Sequence, residues 1–236
     1  ENQTENERTV TEALHQAVMR FQTRHGLKID GLVGRHTLTA LNVSVAERIR
    51  QIEINMERWR WLPENLGKRH ILVNIPGFEL QLVEDGKPVL HSKVVVGRND
   101  RPTPVFTGSM SHVVISPYWN VPRTIAVKDK LPILRKNPYA LKKQKIRVFN
   151  RSGREVDPGR VNWHNIGKRS FKYRLRQDPG PKNALGVVKF MFPNQHSVYL
   201  HDTSSPELFE HDQRAYSSDC IRVAKPIELA EYLLKS

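Results

Sequence analysis

The sequence predicts an α+β protein, in which a small all-α module precedes a mainly β domain. Over residues 9–42, apolar residues recur at the three- and four-residue spacing of amphipathic helices. One face of the first predicted helix carries Leu14, Ala17, Val18 and Phe21. From residue 70 onward the apolar residues alternate with polar ones instead, which indicates strands that bury one face.

The helical part is predicted to comprise two segments, a module at 1–43 and a connector helix at 44–68. The connector begins with the capping-box spacing of Ser44 and Glu47, and Pro63 is expected to end it. Its apolar residues also follow a helical repeat, so we expect them to be buried. These residues are Val45, Ile49, Ile52, Met56 and Trp59.

Residues 69–236 are predicted to form a strand-rich, antiparallel domain. Asp85 and Gly86 are a typical hairpin turn pair between two alternating segments. The alternation is lost at about 123–178, where a helical stretch precedes a polar, basic and aromatic one. An interruption of this length within a β domain predicts an inserted lid subdomain of mixed structure, and such a lid excludes water from a reactive intermediate.

The formal net charge of +14 predicts attraction to anionic partners. The basic cluster at 142–147 is interpreted as a solvated face, and the chain has no zinc-finger spacing, RNP pattern or phosphate-binding loop. We therefore expect no nucleic-acid partner. The chain contains no run of 18 consecutive apolar residues, so the sequence predicts no membrane span. The polar residues 1–6 do not form a signal peptide, and a membrane anchor ahead of them in a longer protein is compatible with the sequence.

Cys220 is the single cysteine of the chain, so an internal disulfide and a thiolate zinc cluster are excluded. A lone cysteine is often only a small buried hydrophobic residue. His201, however, ends an apolar strand-like segment 19 positions earlier, and a base there can take the thiol proton if strand and loop are neighbours. Backbone N–H groups at Asp219 and Cys220 are then candidates to hold an oxyanion.

Two sets of residues carry a resemblance to known families. His201–Thr203 and Ser217–Val223 resemble the active-site signature of the L,D-transpeptidases, the YkuD-type catalytic domain with a β-sandwich fold. The pattern FQ…GL…DG..G..T...LN, which begins at Phe21, resembles the peptidoglycan-binding helical module. Further segments resemble the branch called YcbB, which has an inserted capping subdomain: 73–76, 95–104, 117–122 and 179–186.

The resemblance implies a role for each residue of the signature. Cys220 would be the nucleophile and acyl carrier, and His201 the general base and then the acid. The family orients this histidine through a backbone carbonyl, for which Asp202 is the nearest candidate. Ser217 and Ser218 would shape the loop.

Asp219 departs from the family, which has glycine or another small residue at this position. If the position requires a positive φ, aspartate is among the residues that tolerate it. A carboxylate beside the thiol opposes thiolate formation, and Arg222 or Arg214 is expected to offset that charge.

Four residues are candidates for substrate contacts. Arg222 would position either the loop or a substrate carboxylate, unless it forms a structural ion pair. Tyr199 and Trp119 would line the cleft, unless they are core residues. Asn183 is a further candidate.

The family reaction is the cross-linking of peptidoglycan stem peptides. The resemblance implies a thioester on Cys220, release of D-Ala, a 3→3 cross-link, acylation by carbapenems, and no metal or organic cofactor. Expected partners are donor and acceptor stem peptides, for a monomer in the periplasm of a Gram-negative bacterium, with or without an inner-membrane anchor. Two alternatives remain: a cysteine hydrolase that trims tetrapeptides, and a wall-binding protein with a weakened site.

Overall fold

The computed structural model describes residues 11–235, and the chain divides into two compact units with the boundary between Lys68 and Arg69. The first unit is helical and the second contains the strands. The α+β class and the mainly β character of the second unit are confirmed. No helix among residues 11–235 is long and apolar enough to cross a membrane.

Within residues 11–68 the first unit contains three helices, each begun by local capping chemistry or a turn. They are α1 (Glu12–Arg24), α2 (Arg35–Leu41) and α3 (Val45–Arg60). The Thr11 side chain accepts a hydrogen bond from the backbone of Leu14 and so caps α1. At α3 the predicted capping box is confirmed, because Ser44 and Glu47 each bind the other's backbone N–H.

Gln22 organises the interior of this unit. Its side chain is 1% exposed, and its carboxamide makes five hydrogen bonds. Nε2 donates to Asp30 Oδ1, Leu32 O and Thr37 Oγ1, and Oε1 accepts from the backbone N–H groups of Asp30 and Gly31. A single side chain therefore joins α1 to the following turn and to α2.

The expectation that the apolar residues of α3 are buried is wrong. All five of them are more than half exposed: Val45, Ile49, Ile52, Met56 and Trp59. A helical repeat of apolar residues predicts which side chains share a face of the helix. It does not predict whether another part of the protein covers that face.

Eleven strands are found in the second unit within residues 69–235. They are β1 (Arg69–Asn74), β2 (Glu79–Glu84), β3 (Lys87–Gly97), β4 (His112–Ile115), β5 (Trp119–Asn120), β6 (Ile146–Phe149), β7 (Arg174–Gln177), β8 (Val188–Met191), β9 (Leu200–His201), β10 (Ala215–Ser217) and β11 (Ile221–Val223). Eight belong to one sheet in the order β1-β2-β3-β11-β9-β8-β4, with β10 paired to β3. The predicted hairpin joins β2 to β3 through Asp85 and Gly86, both at positive φ.

The sheet is mixed rather than purely antiparallel as predicted. β11 runs parallel to β9, and β10 runs parallel to β3. One face of the sheet and the C-terminal helix α6 (Pro226–Leu234) bury a continuous apolar core. Its buried members are Leu80, Leu82, Val94, Val96, Val188, Phe190, Leu200, Ile221, Val223, Leu229 and Ala230.

Between β4 and β8 the chain builds a second, smaller core. Its helical part contains α4 (Arg123–Ile125), a π-helical turn (Ala126–Lys130) and α5 (Leu131–Lys136), in agreement with the predicted helical stretch. A three-stranded sheet of order β5-β7-β6 was not predicted. Its inward side chains pack with Trp163 and Phe171 around Leu134. Four short 3₁₀ turns within residues 69–235 lie at Ala140–Gln144, Pro158–Arg160, Trp163–Asn165 and Pro206–Glu210.

We expect Gln22→Leu to destabilise the first unit by about 2–4 kcal/mol, because the substitution leaves buried donors and acceptors without their partner. Thermal unfolding of the full chain, followed by far-UV circular dichroism, measures the effect. The matched control is Gln16→Leu, since Gln16 is exposed and bonds only Glu12 among the residues described. Equal losses in the two variants would contradict the central role of Gln22.

Candidate active site

Three neighbouring strands each place one polar residue on the sheet face opposite the apolar core. Lys189 of β8 and Arg222 of β11 are both paired in register with His201 of β9. Successive side chains of a strand point to opposite faces, so these three lie side by side. Tyr199 and Cys220 precede His201 and Arg222 by two positions and therefore face the same way. The structure thus brings the predicted nucleophile and base to one surface.

Cys220 directly precedes β11 and is 8% exposed. Its Sγ lies 4.0 Å from the backbone oxygen of Ser197. Burial raises the pKa of the Cys220 thiol to about 12, and the charge of Asp219 adds to this, while the backbone N–H and hydroxyl of Tyr199 act in the opposite direction. The cysteine therefore rests as a neutral thiol at neutral pH.

His201 is 4% exposed and is oriented by its own neighbour. Nδ1 contacts the backbone oxygen of Asp202. A carbonyl oxygen only accepts, so Nδ1 carries the proton and Nε2 holds the lone pair. Burial, followed by the nearby charge of Arg222, lowers the pKa of His201 to about 3. The Asp202 carboxylate is used elsewhere, since Oδ2 accepts from the backbone N–H of Val187 at 2.8 Å.

Residues 217–220, which link β10 to β11, form what we call the nucleophile loop, after the predicted role of Cys220. Its backbone is left-handed at Asp219, where φ is 79°. Aspartate tolerates this region better than most residues, so it fits where the family has a small residue. Two neighbours support the loop from one side. Thr103 Oγ1 donates to the backbone oxygen of Asp219 at 2.7 Å, and the backbone N–H of Arg98 donates to that of Ser217 at 3.0 Å. The Ser217 side chain is buried.

The carboxylate of Asp219 lies against the thiol and the backbone N–H of Cys220. Burial raises the pKa of Asp219, and hydrogen bonds from the Cys220 thiol and backbone N–H lower it, as does the charge of Arg101. The Cys220 N–H, one of the two expected to hold an oxyanion, is thus engaged by the Asp219 carboxylate. The arginine that acts on Asp219 is Arg101 rather than Arg222 or Arg214. Arg222 reaches Thr203 Oγ1 at 3.5 Å, and Arg214 donates to backbone carbonyls.

Two aromatic residues border this group. The centroids of the Tyr199 and His201 rings lie 5.6 Å apart, and Lys189 Nζ lies 3.7 Å from the centroid of the Tyr199 ring. Burial raises the pKa of the Tyr199 hydroxyl, which interacts with the Cys220 thiol and with the Trp119 side chain. Trp119 and Tyr199 are both half-buried. The structure therefore places Tyr199 next to the thiol and Trp119 next to the Tyr199 hydroxyl.

Asn183 differs from the other candidates for substrate contacts. It is 1% exposed, and its amide nitrogen donates to the backbone oxygens of Pro117 and Asp178, both at 3.0 Å. Its amide oxygen accepts from the backbone N–H of Leu185 at 2.8 Å. The carboxamide thus ties three backbone segments together, an arrangement that suits a structural role.

Three residues near the thiol were not assigned from the sequence: Lys189, Arg101 and Thr103. Lys189 could have been noticed, because it is a lone charge within the apolar segment at 187–192 and alternation places it opposite Val188 and Phe190. Arg101 and Thr103 lie more than 110 positions from the loop that they contact, and no local pattern reports such contacts.

The family model described as "L,D-transpeptidase catalytic domain" (YkuD) matches residues 68–236. The chain belongs to the YkuD family. Residues 6–41 match the model described as "Putative peptidoglycan binding domain". A Haemophilus influenzae (strain ATCC 51907 / DSM 11121 / KW20 / Rd) protein named "Putative L,D-transpeptidase" is 39% identical over 185 residues, which cover 78% of this chain and 37% of that protein. This YkuD chain therefore spans little more than a third of that relative.

The buried imidazole makes the stability of this YkuD domain sensitive to acid. The pKa of His201 is depressed in the folded state, so the unfolded chain binds its proton first as the pH falls below about 6.5. We expect the free energy of unfolding to fall by up to about 1.4 kcal/mol per pH unit from this group as the pH falls towards 3. His201→Asn should flatten that dependence, as measured by urea unfolding at several pH values. Identical slopes in the two proteins would contradict the assignment.

Removing the carboxylate beside the thiol should make Cys220 more reactive. We expect Asp219→Asn and Asp219→Gly to raise the rate of iodoacetamide alkylation at pH 8 about 3- to 10-fold, because both lower the pKa of the thiol and both tolerate positive φ. Intact mass against time gives the rate, since Cys220 is the only cysteine. The control is Glu231→Gln, which removes the same charge from an exposed position on α6. Unchanged or slower alkylation of both Asp219 variants would show that the carboxylate does not restrain the thiol.

Proposed function

We propose that the chain is a cell-wall L,D-transpeptidase that forms 3→3 cross-links between peptidoglycan stem peptides through a thioester on Cys220. The observation that carries this proposal is the shared sheet face of Cys220, His201 and Arg222, with Nδ1 of the histidine fixed on Asp202. Membership of the YkuD family and the match to a peptidoglycan-binding module supply the substrate class.

The first half-reaction begins from neutral groups. The Cys220 sulfur attacks the carbonyl that precedes D-Ala in the donor stem while its proton passes to Nε2 of His201. Backbone N–H groups of the nucleophile loop, at Ser218 to Cys220, receive the developing oxyanion once substrate displaces the Asp219 carboxylate. The C–N bond then breaks, and the D-Ala amine leaves with the proton from His201.

In the second half-reaction an amine of the acceptor stem attacks the thioester. His201 removes a proton from that amine, the new amide forms, and the sulfur leaves and recovers a proton from the imidazolium. Arg222 is suited to attract a stem-peptide carboxylate, since its charge faces the thiol. Tyr199 and Trp119 form the adjoining wall.

We place this activity in the periplasm of a Gram-negative bacterium, where peptidoglycan cross-linking takes place. Residues 123–178 would act as the lid over the acyl enzyme, and residues 1–43 would hold the domain on its polymer. The basic character of the chain suits carboxylate-bearing stems.

One observation favours a second candidate, a wall-binding protein with a weakened site. The Asp219 carboxylate engages both the thiol and the N–H of Cys220, and both contacts oppose nucleophilic attack. Acylation of Cys220 separates the two candidates.

We expect meropenem to add its mass to the protein through Cys220, because carbapenems acylate the cysteine of this family. Intact mass spectrometry should show the adduct in the wild type and none in Cys220→Ala. His201→Asn should slow its formation about 100-fold or more through loss of the general base.

Muropeptide analysis with tetrapeptide donors then distinguishes cross-linked dimers from trimmed tripeptides, the product of a hydrolase. A folded wild-type protein that forms neither adduct nor cross-link would overturn the proposal in favour of the wall-binding alternative.

A further inference from the structure

Arg101, in the loop after β3, joins two segments that lie far from it in sequence. Its guanidinium donates to both carboxylate oxygens of Asp129 at 2.8 and 2.9 Å, within the π-helical turn. The same group donates to Ser218 Oγ in the nucleophile loop at 3.1 Å. The side chain is 12% exposed. A bidentate pair fixes the plane of a guanidinium, so its position relative to Ser218 is well defined.

The backbone around Arg101 is packed closely against the same loop. Thr103 Oγ1 accepts from the N–H of Gly97 at 2.8 Å and donates to the oxygen of Asp219 at 2.7 Å. A Cβ atom at Gly97 would lie only 2.3 Å from the backbone oxygen of Arg101. The segment 97–103 therefore has little freedom to move away from the nucleophile loop.

The charges around the thiol make Arg101 significant. The groups that act on Cys220 are Asp219 in the loop, Tyr199 of β9, Lys189 of β8 and Arg222 of β11, with His201 beside them. Asp219 is the anionic member of this set, and the cation that acts on it is Arg101. Arg101 in turn faces Asp129, Asp100 and Asp219.

We propose that Arg101 is a positioning residue for the reaction at Cys220: fixed by Asp129 and Ser218, its guanidinium offsets the charge of Asp219, so that a nucleophile next to a carboxylate remains competent. The proposal rests on the proposed role of Cys220 as the nucleophile. Arg101 acts through its neighbours, and Asp129 orients it. The π-helical turn Ala126–Lys130 thereby influences the surroundings of Cys220 through the ion pair between Asp129 and Arg101.

The test is the rate of iodoacetamide alkylation of Cys220 from pH 6 to 10, in five proteins: the wild type, Arg101→Gln, Arg101→Lys, Asp219→Asn and the double variant with Arg101→Gln and Asp219→Asn. Arg101→Gln is expected to react about 3- to 10-fold more slowly than the wild type at pH 8, with its pH profile displaced to higher pH. Arg101→Lys loses the bidentate geometry but keeps the positive charge, so it should stay within about 2-fold of the wild type if charge is what matters. In the Asp219→Asn background, Arg101→Gln should have no further effect, because the charge that it offsets is gone.

Two results would overturn the proposal: alkylation of Arg101→Gln at the wild-type rate, or the same slowing with and without Asp219. The second result would mean that the substitution only loosens the loop. Thermal unfolding shows which variants fold. If Arg101→Gln does not fold, the alkylation rate of Arg101→Lys is measured with and without Asp219→Asn instead. A rate more than 10-fold lower in both backgrounds contradicts the proposal.

Iodoacetamide reports on the thiol whatever the enzyme's natural substrate is. Failure of the cross-linking assay therefore leaves this comparison interpretable, and failure of this comparison leaves the proposed transpeptidase activity standing.

Discussion

The parallel pairing of β9 with β11 is the constraint on which the rest of the site depends. Ile221 is in register with Leu200, and both side chains enter the core. Since side chains alternate along a strand, the same register turns His201 and Arg222 to the opposite face. A slip of one residue would bury the polar groups in the core and expose the apolar ones. The free energy of core burial therefore also determines the alignment of the reactive groups.

The surroundings of these groups determine how they can react. Burial favours the uncharged forms of both Cys220 and His201, so the resting pair is a thiol and a neutral imidazole rather than a thiolate and an imidazolium. In the proposed reaction, proton transfer from Cys220 to His201 then has to accompany attack on the substrate. The positive groups Lys189 and Arg222 on the same face favour the negative charge that appears during attack.

Local patterns predicted much of this structure and failed where contacts are long-range. Alternation predicted β1 and β2 of the large sheet, two adjacent turn residues predicted the β2–β3 hairpin, and β10 was not predicted. The capping box of α3 was found because its chemistry spans only four residues. The small sheet was missed because the inward residues of strand β7 are Leu175 and the polar Gln177, so no apolar repeat appears over a strand this short. The contact from Arg101 to Ser218 depends on the complete fold.

The high pKa of Cys220 has a consequence for oxidative damage. Peroxides oxidise the thiolate, and an exposed cysteine of ordinary pKa offers a few per cent of that form at neutral pH. At a pKa of about 12 the thiolate fraction is smaller by roughly a thousand-fold or more. The 236 residues of this chain contain no second cysteine to resolve a sulfenic acid as a disulfide. A protonated sulfur therefore protects a residue whose oxidation the chain itself could not reverse by forming an internal disulfide.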